Sequence, residues 1–149
     1  MKALWKKIKL LFSYLAGHSR QVVAAVMEKD GKILIAKRKR GGTLAGQWEF
    51  PGGKLEPGET PEECLRRELK EEFDIDAEIG GFLASSKFIY FCVPIELVAY
   101  RARHVSGEFK VNDHEEIEWV ARNELSKYRF TLPDRPIVKL LQSSHDTTT

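Results

Sequence analysis

Residues 53–75 read GKLEPGETPEECLRRELKEEFDI, and a helix with a marked start lies within them. Thr60 can cap it, Pro61 suits its first turn, and Glu63 completes a T-x-x-E capping box. The helix is predicted to run to about Phe73. At about 100° per residue, Leu65, Leu69 and Phe73 form one apolar stripe that faces a core. Glu68, Glu71 and Glu72 share an adjacent arc, with Arg67 at its edge. Like charges at i,i+3 and i,i+4 each cost a helix ~0.2–0.5 kcal/mol, so three carboxylates aligned beside a buried face are a poor choice for stability alone. A hard divalent cation would reverse the sign of that repulsion, since Mg²⁺ is held by a few carboxylates with phosphate oxygens and water. The plainer reading is a solvated acidic face paired with Arg66, Arg67 and Lys70.

Spacing decides between the two. The segment resembles the Nudix box, G-x5-E-x7-R-E-U-x-E-E-x-G-U with U apolar. Gly53, Glu59, Arg67, Glu68, Leu69, Glu71, Glu72 and Ile75 match in register. Six specified residue types would coincide by chance at about 10⁻⁷ per starting position, which leaves little room for the solvated-face reading. One position departs: Asp74 stands where the family has a helix-ending glycine. Aspartate tolerates the left-handed conformation needed there better than most residues, so slight local destabilisation is expected and activity is not in doubt.

Outward from this helix the texture is β. Residues 21–28 and 32–38 are β-prone apolar runs joined at Asp30-Gly31, a hairpin signal. A loop with Gly41, Gly42 and Gly46 follows, then a short strand over 48–50. Further strands are predicted at 79–91, 94–103 and 117–120. A short helix is predicted around 124–127, and a last helix from near Pro133. The fold class expected is α+β, and the resemblance makes it a Nudix fold, an α/β/α sandwich around a mixed, curved sheet. The Nudix domain would span residues 20–143, between a basic N-terminal segment (1–19) and a disordered tail (144–149).

Within the family, residues 21–141 look most like the MutT-type nucleoside triphosphate pyrophosphohydrolases. That resemblance implies Mg²⁺, with Mn²⁺ as an alternative, bound by the Gly52 carbonyl, Glu68, Glu71 and Glu72. Glu68 stands where the family can place a general base, Arg67 would orient the acidic cluster, and Glu59 would support the loop–helix junction. Asp113, in the stretch Asp113-His114-Glu115-Glu116-Ile117-Glu118-Trp119, stands where the family has a Glu that assists the metal or the base. It is one methylene shorter, and a plain polar loop before a strand anchored by Trp119 is the equal alternative. Arg38 matches a nucleotide-contacting position, with Lys37, Lys39 and Arg40 making a basic approach beside the glycine loop. Residues 48–53, WEFPGG, resemble the run lining the nucleotide site, with Phe50, Pro51 and Gly53 as contacts. Trp48 and Phe50 read equally as core aromatics. Asp134 stands where MutT-type enzymes read the base. It also reads as the N-cap of the last helix.

The implied reaction is hydrolysis of a modified nucleoside triphosphate, such as 8-oxo-dGTP or a CTP analogue, to monophosphate and pyrophosphate. Such an enzyme serves nucleotide-pool sanitation. A dinucleoside polyphosphate or nucleotide sugar, with Tyr90 stacking a base, is the nearest alternative, and a non-catalytic nucleotide-binding module is the more distant one. With 149 residues, one domain is expected. The charges, 24 Lys and Arg against 22 Asp and Glu, give no argument for a polymeric nucleic-acid partner. Cys64 and Cys92 lack metal-ligand spacing, and reduced thiols in a cytoplasmic protein are the simplest reading. In residues 1–17, Leu4, Trp5, Ile8, Leu11, Phe12 and Leu15 recur at helical spacing between lysines. This basic amphipathic helix would pack on its own domain or on a second subunit, lie on a membrane surface, or act as an atypical signal peptide. Monomer and homodimer both stand open.

Overall fold

The computed structural model describes residue 2 and residues 20–144. The amphipathic helix predicted over 1–19 lies, Lys2 apart, outside the described residues, as do residues 145–149 of the tail.

Strands β1 (Arg20–Lys29) and β2 (Lys32–Arg38) form the predicted hairpin, with Glu28 opposite Ile33 and Lys29 opposite Lys32. Asp30 and Gly31 take φ values of 52° and 73°, the left-handed pair that a two-residue turn requires. Strand β3 (Trp48–Glu49) extends the sheet beyond β2, and β4 (Gly52–Lys54) pairs antiparallel with β1. Helix α1 (Pro61–Phe73) follows with both halves of its capping box formed. Strands β5 (Asp76–Tyr90) and β6 (Val93–Ser106) make a long hairpin, and β7 (His114–Ala121) lies against β2. The predicted short helix is a 3₁₀ turn at Arg122–Lys127. The last helix, α2 (Arg135–Ser143), begins two residues later than expected, because Leu132–Asp134 forms a separate 3₁₀ turn.

The sheet order is β3-β2-β1-β6-β5, with β4 paired to β1 and β7 to β2. Only β1 and β6 among these pairs run parallel, so the sheet is mixed. Both faces are covered, which explains the near-continuous apolar run of β1. Val23, Ala25 and Met27 face a core completed by Cys64, Leu65, Leu69 and Phe73 of α1. Ala24 and Val26 face the opposite core, completed by Ile137, Val138 and Leu141 of α2. This is the expected α/β/α sandwich. Strands β5 and β6 exceed their predicted lengths because backbone pairing continues from Asp76–Ser106 to Tyr90–Val93, past the apolar residues. Register shifts at 79–84 bend the pair.

Helix α1 ends at Asp74, with φ 57° and ψ 35°, whose N–H donates to the Lys70 carbonyl at 3.0 Å. The Asp74 carboxylate lies 3.1 Å from Lys110 and 3.5 Å from Lys70, and those ammonium groups hold it below the usual carboxylate range. Ion pairing thus compensates at the one position where the box departs from its pattern.

Candidate active site

Three groups of polar side chains meet around residues 48–53. The first is on α1. Arg67 donates to both oxygens of Glu59, at 2.7 and 3.0 Å, and to Glu68 at 2.9 Å. It also lies 3.6 Å from Glu71. Glu59 itself accepts from the Glu56 N–H at 3.0 Å, which fixes the loop to the start of α1. The paired guanidinium pushes the Glu59 carboxyl down to about 2, and Arg67 is raised in turn by Glu59. Cys64, beneath this pair, is pushed up to about 12 by burial, and it and exposed Cys92 are free thiols. The thiol of Cys64 is therefore packing, and chemically inert.

The loop approaches this cluster through backbone alone. A Cβ on Gly53 would lie 2.3 Å from Glu68 Oε1, and one on Gly52 would lie 1.9 Å from the Val23 carbonyl. Only glycine lets the strand lie so close to both β1 and the Glu68 carboxylate. Glu72 is buried at 8% exposure beside the core, whereas the Glu71 side chain is 57% exposed. Among the described residues, no three His, Cys, Asp or Glu side chains form a ready-made metal cluster. The expected carboxylates share a helix face rather than one point, Glu68 and Glu71 meeting Arg67. They nevertheless offer what a hard divalent cation needs: anionic oxygens along one helix face, beside a glycine backbone that leaves room and a carbonyl.

The second group is Asp134, which is buried at 5% exposure. Its carboxylate accepts from the Phe50 N–H at 3.3 Å and from the Thr131 hydroxyl. It stands at the N-cap position of α2, as its place in the sequence suggests, but its side chain makes no capping hydrogen bond there. Asp134 is itself in helical conformation, which turns its side chain back toward Thr131 and the Phe50 backbone. Burial, reinforced by the charge of Glu49, pushes its carboxyl up to about 7 against the hydrogen bonds from Thr131 and Phe50. The rings of Trp48 and Phe50 are 8% and 3% exposed, Phe50 packing on Phe130 at 5.3 Å and Trp48 on Tyr128 at 5.1 Å. Both aromatics serve the core, and the backbone of Phe50 is what faces the site. Pro51 is buried, its carbonyl accepting from Ala25 at 2.7 Å.

The third group is Arg38, Glu49 and His114. Arg38 donates to Glu49 Oε2 at 2.8 Å and to the Thr43 carbonyl at 2.9 Å. His114 Nε2 lies 3.0 Å from Glu49 Oε1. Burial raises Glu49, but the hydrogen bonds from His114 and Arg38 outweigh it and hold the carboxyl below the usual range. Sequence reading passed over Glu49 and His114 as site residues. The available signal was the alternation in 48–50, which turns Glu49 away from Trp48 and Phe50.

Asp113 is exposed in the turn before β7. Its neighbour Asn112 makes the contacts to α1, its backbone N–H reaching the Glu72 carbonyl at 3.0 Å and its side chain the Glu71 carbonyl at 3.2 Å. Tyr90, at the end of β5, packs edge-on against Phe91 at 4.6 Å.

Known proteins share this fold. The NUDIX domain model matches residues 17–141. The chain is 37% identical to the CTP pyrophosphohydrolase of Escherichia coli (strain K12) over 119 residues, covering 80% of this chain and 88% of that protein. It is 32% identical to the 8-oxo-dGTP diphosphatase of Haemophilus influenzae, covering 85% and 94% respectively. The crystal structure of a MutT NUDIX hydrolase from Burkholderia pseudomallei superposes with a TM-score of 0.73 at 31% identity, covering 85% of this chain and 99% of that one. No helix among the described residues is long and apolar enough to cross a membrane.

Proposed function

The chain belongs to the Nudix family of hydrolases, and we propose that it is a Mg²⁺-dependent hydrolase of a nucleoside triphosphate, yielding monophosphate and pyrophosphate. The observation that carries this reading is the Glu68 carboxylate pressed against the Gly53 backbone, with Arg67 and Glu59 clamped behind it. The Gly52 carbonyl, Glu68, Glu71 and Glu72 would hold Mg²⁺, with Mn²⁺ as a substitute. When bound, the cation supplies charge neutralisation on the phosphate oxygens and acidifies the attacking water. Glu68 takes up the proton of that water as its oxygen bonds to phosphorus and the bridging P–O bond breaks, releasing pyrophosphate. Arg67 keeps Glu68 in place, and Glu59 keeps Arg67. Arg38, with Lys37, Lys39 and Arg40 nearby, faces the triphosphate.

Asp134 reads the base from the far side of residues 48–53. With a carboxyl near 7, it offers both a donor and an acceptor around neutrality, which suits an oxidised guanine or a cytosine edge. The names of the relatives, one acting on CTP and one on 8-oxo-dGTP, support the same substrate class.

The test is pyrophosphate release with Mg²⁺ across canonical and oxidised nucleoside and deoxynucleoside triphosphates, with diadenosine polyphosphates and ADP-ribose alongside. Preference for one triphosphate with monophosphate as co-product supports the reading. Turnover confined to diadenosine polyphosphates or ADP-ribose sinks it.

A further inference from the structure

His114 is 6% exposed at the start of β7, and the reaction outlined above does not use it. A buried polar ring in an apolar core lowers stability unless its hydrogen bonds are made. Its Nδ1 meets no hydrogen-bond partner, so the Nε2 contact to Glu49 is the polar contact that accounts for the residue. A carboxylate only accepts, which assigns the proton to Nε2. The other face of the ring is equally defined. It stacks on Phe73, the last residue of α1, with centroids 5.6 Å apart and planes 13° from parallel. Phe73 follows Glu72 directly in the chain. From the opposite side, Glu49 passes the contact on to Arg38, whose Nε is fixed by the Thr43 carbonyl in the glycine loop.

We propose that His114 is a positioning residue that holds Glu49, and through it Arg38, in register with the carboxylate helix, so that the nucleotide is presented correctly to α1. This rests on the proposed function, in which Arg38 meets the triphosphate. A merely packing role would be met by any apolar side chain of similar size. The chain from Phe73 to Thr43 instead spans the gap between the helix and the loop with one stacked ring and three charged or polar contacts. The charge of Glu49 is also felt at Asp134, where it adds to the effect of burial.

Two variants separate the roles: His114→Gln keeps a side-chain N–H that can reach Glu49, and His114→Leu keeps bulk alone. On the triphosphate that the wild type turns over best, His114→Leu is expected to raise KM about tenfold with kcat within about threefold, and His114→Gln to recover most of the loss. Equal KM values for the two variants overturn the proposal, as does a change in melting temperature alone. A second arm needs no substrate. Long-range ¹H–¹⁵N spectra should show the ring proton on Nε2. The Arg38 Nε–H resonance, assigned by its loss in Arg38→Lys, should be exchange-protected in the wild type and His114→Gln and lost in His114→Leu. A proton on Nδ1, or an Arg38 signal indifferent to His114→Leu, overturns the proposal whatever the wild type hydrolyses. Spectra as expected from a protein that turns over no triphosphate would instead count against the hydrolase reading, and nucleotide affinity by calorimetry with CTP and 8-oxo-dGTP would then decide the positioning role.

Discussion

Arg67 holds both oxygens of Glu59, Nε at 2.7 Å and Nη2 at 3.0 Å, while its remaining nitrogen reaches Glu68 at 2.9 Å. One guanidinium therefore joins the loop before α1 to the carboxylate nearest Gly53. A lysine is a point charge and cannot span the three oxygens. Arg67→Lys is expected to cut kcat at least about tenfold, because Glu68 loses its anchor. Glu59 also sets a pH dependence of stability. Its carboxyl lies at about 2 in the fold against an ordinary 4.5, so its stabilisation is complete above the ordinary value and is lost as pH falls toward 2. Urea unfolding of Glu59→Gln between about pH 3 and 6 should show a weaker pH dependence than the wild type. Parallel curves would show that the pair contributes nothing through its charge.

Glu72 is buried beside Phe73 and one helical turn from Glu68. Glu72→Gln keeps its shape and removes its charge. Turnover is expected to fall at least about 100-fold with the fold intact. Steady-state kinetics over a Mg²⁺ titration, with a melting curve beside it, checks both parts. Near-normal turnover would remove Glu72 from the metal site.

Asp134 carries the opposite shift to Glu59. Burial raises its carboxyl to about 7, so the fold binds this proton more tightly than the unfolded chain does. Its contribution is whole below the ordinary 3.8 and is lost as pH rises through about 7, when the buried group must ionise. Asp134→Asn cannot ionise; its carbonyl can still accept from the Phe50 N–H, and its amide faces the Thr131 hydroxyl, which can turn to accept. The melting temperature of the variant relative to the wild type should therefore increase between about pH 5 and pH 8. A constant difference would mean that the carboxyl is already ionised at pH 5. Substrate preference should move as well, because the amide is a donor at every pH.

How much of this was legible in the chain depends on where the determining contacts lie. Helix α1, its capping box and its apolar stripe are local, so Thr60, Glu63, Leu65, Leu69 and Phe73 could be read from spacing alone. The Asp30-Gly31 turn was legible for the same reason. Arg67 and Glu59 were each placed by the family resemblance, but their pairing across eight residues came from the structure. By contrast, Glu49 and His114 are 65 residues apart, and only the β2–β3 and β2–β7 pairings bring them together. Asp134 stands at the cap position that the sequence offers, but its carboxylate goes to the Phe50 N–H, 84 residues away. Local rules favoured the nearest unsatisfied backbone group, and the tertiary fold supplied another. The lengths of β5 and β6 escaped because their ends pair through backbone atoms, which leave no apolar signature.

The described domain also makes a prediction about the residues before it. Strand β1 begins at Arg20 and pairs with both β6 and β4. Both cores close among the described residues: Val23, Met27 and Phe73 are fully buried in one, and Ile33, Ile35 and Ile137 in the other. The candidate site draws its side chains from Lys37 onward. Deleting residues 1–17 is therefore expected to leave kcat and KM within about twofold and the melting temperature within a few degrees, as for other changes outside a core. If the segment instead packs on its own domain, the truncated protein should melt about 7 °C or more lower, the scale of about 2 kcal/mol in a domain of this size. Sedimentation with vesicles of neutral and anionic lipid then tests the remaining reading, since a basic amphipathic segment binds the anionic surface preferentially and its deletion should abolish that binding.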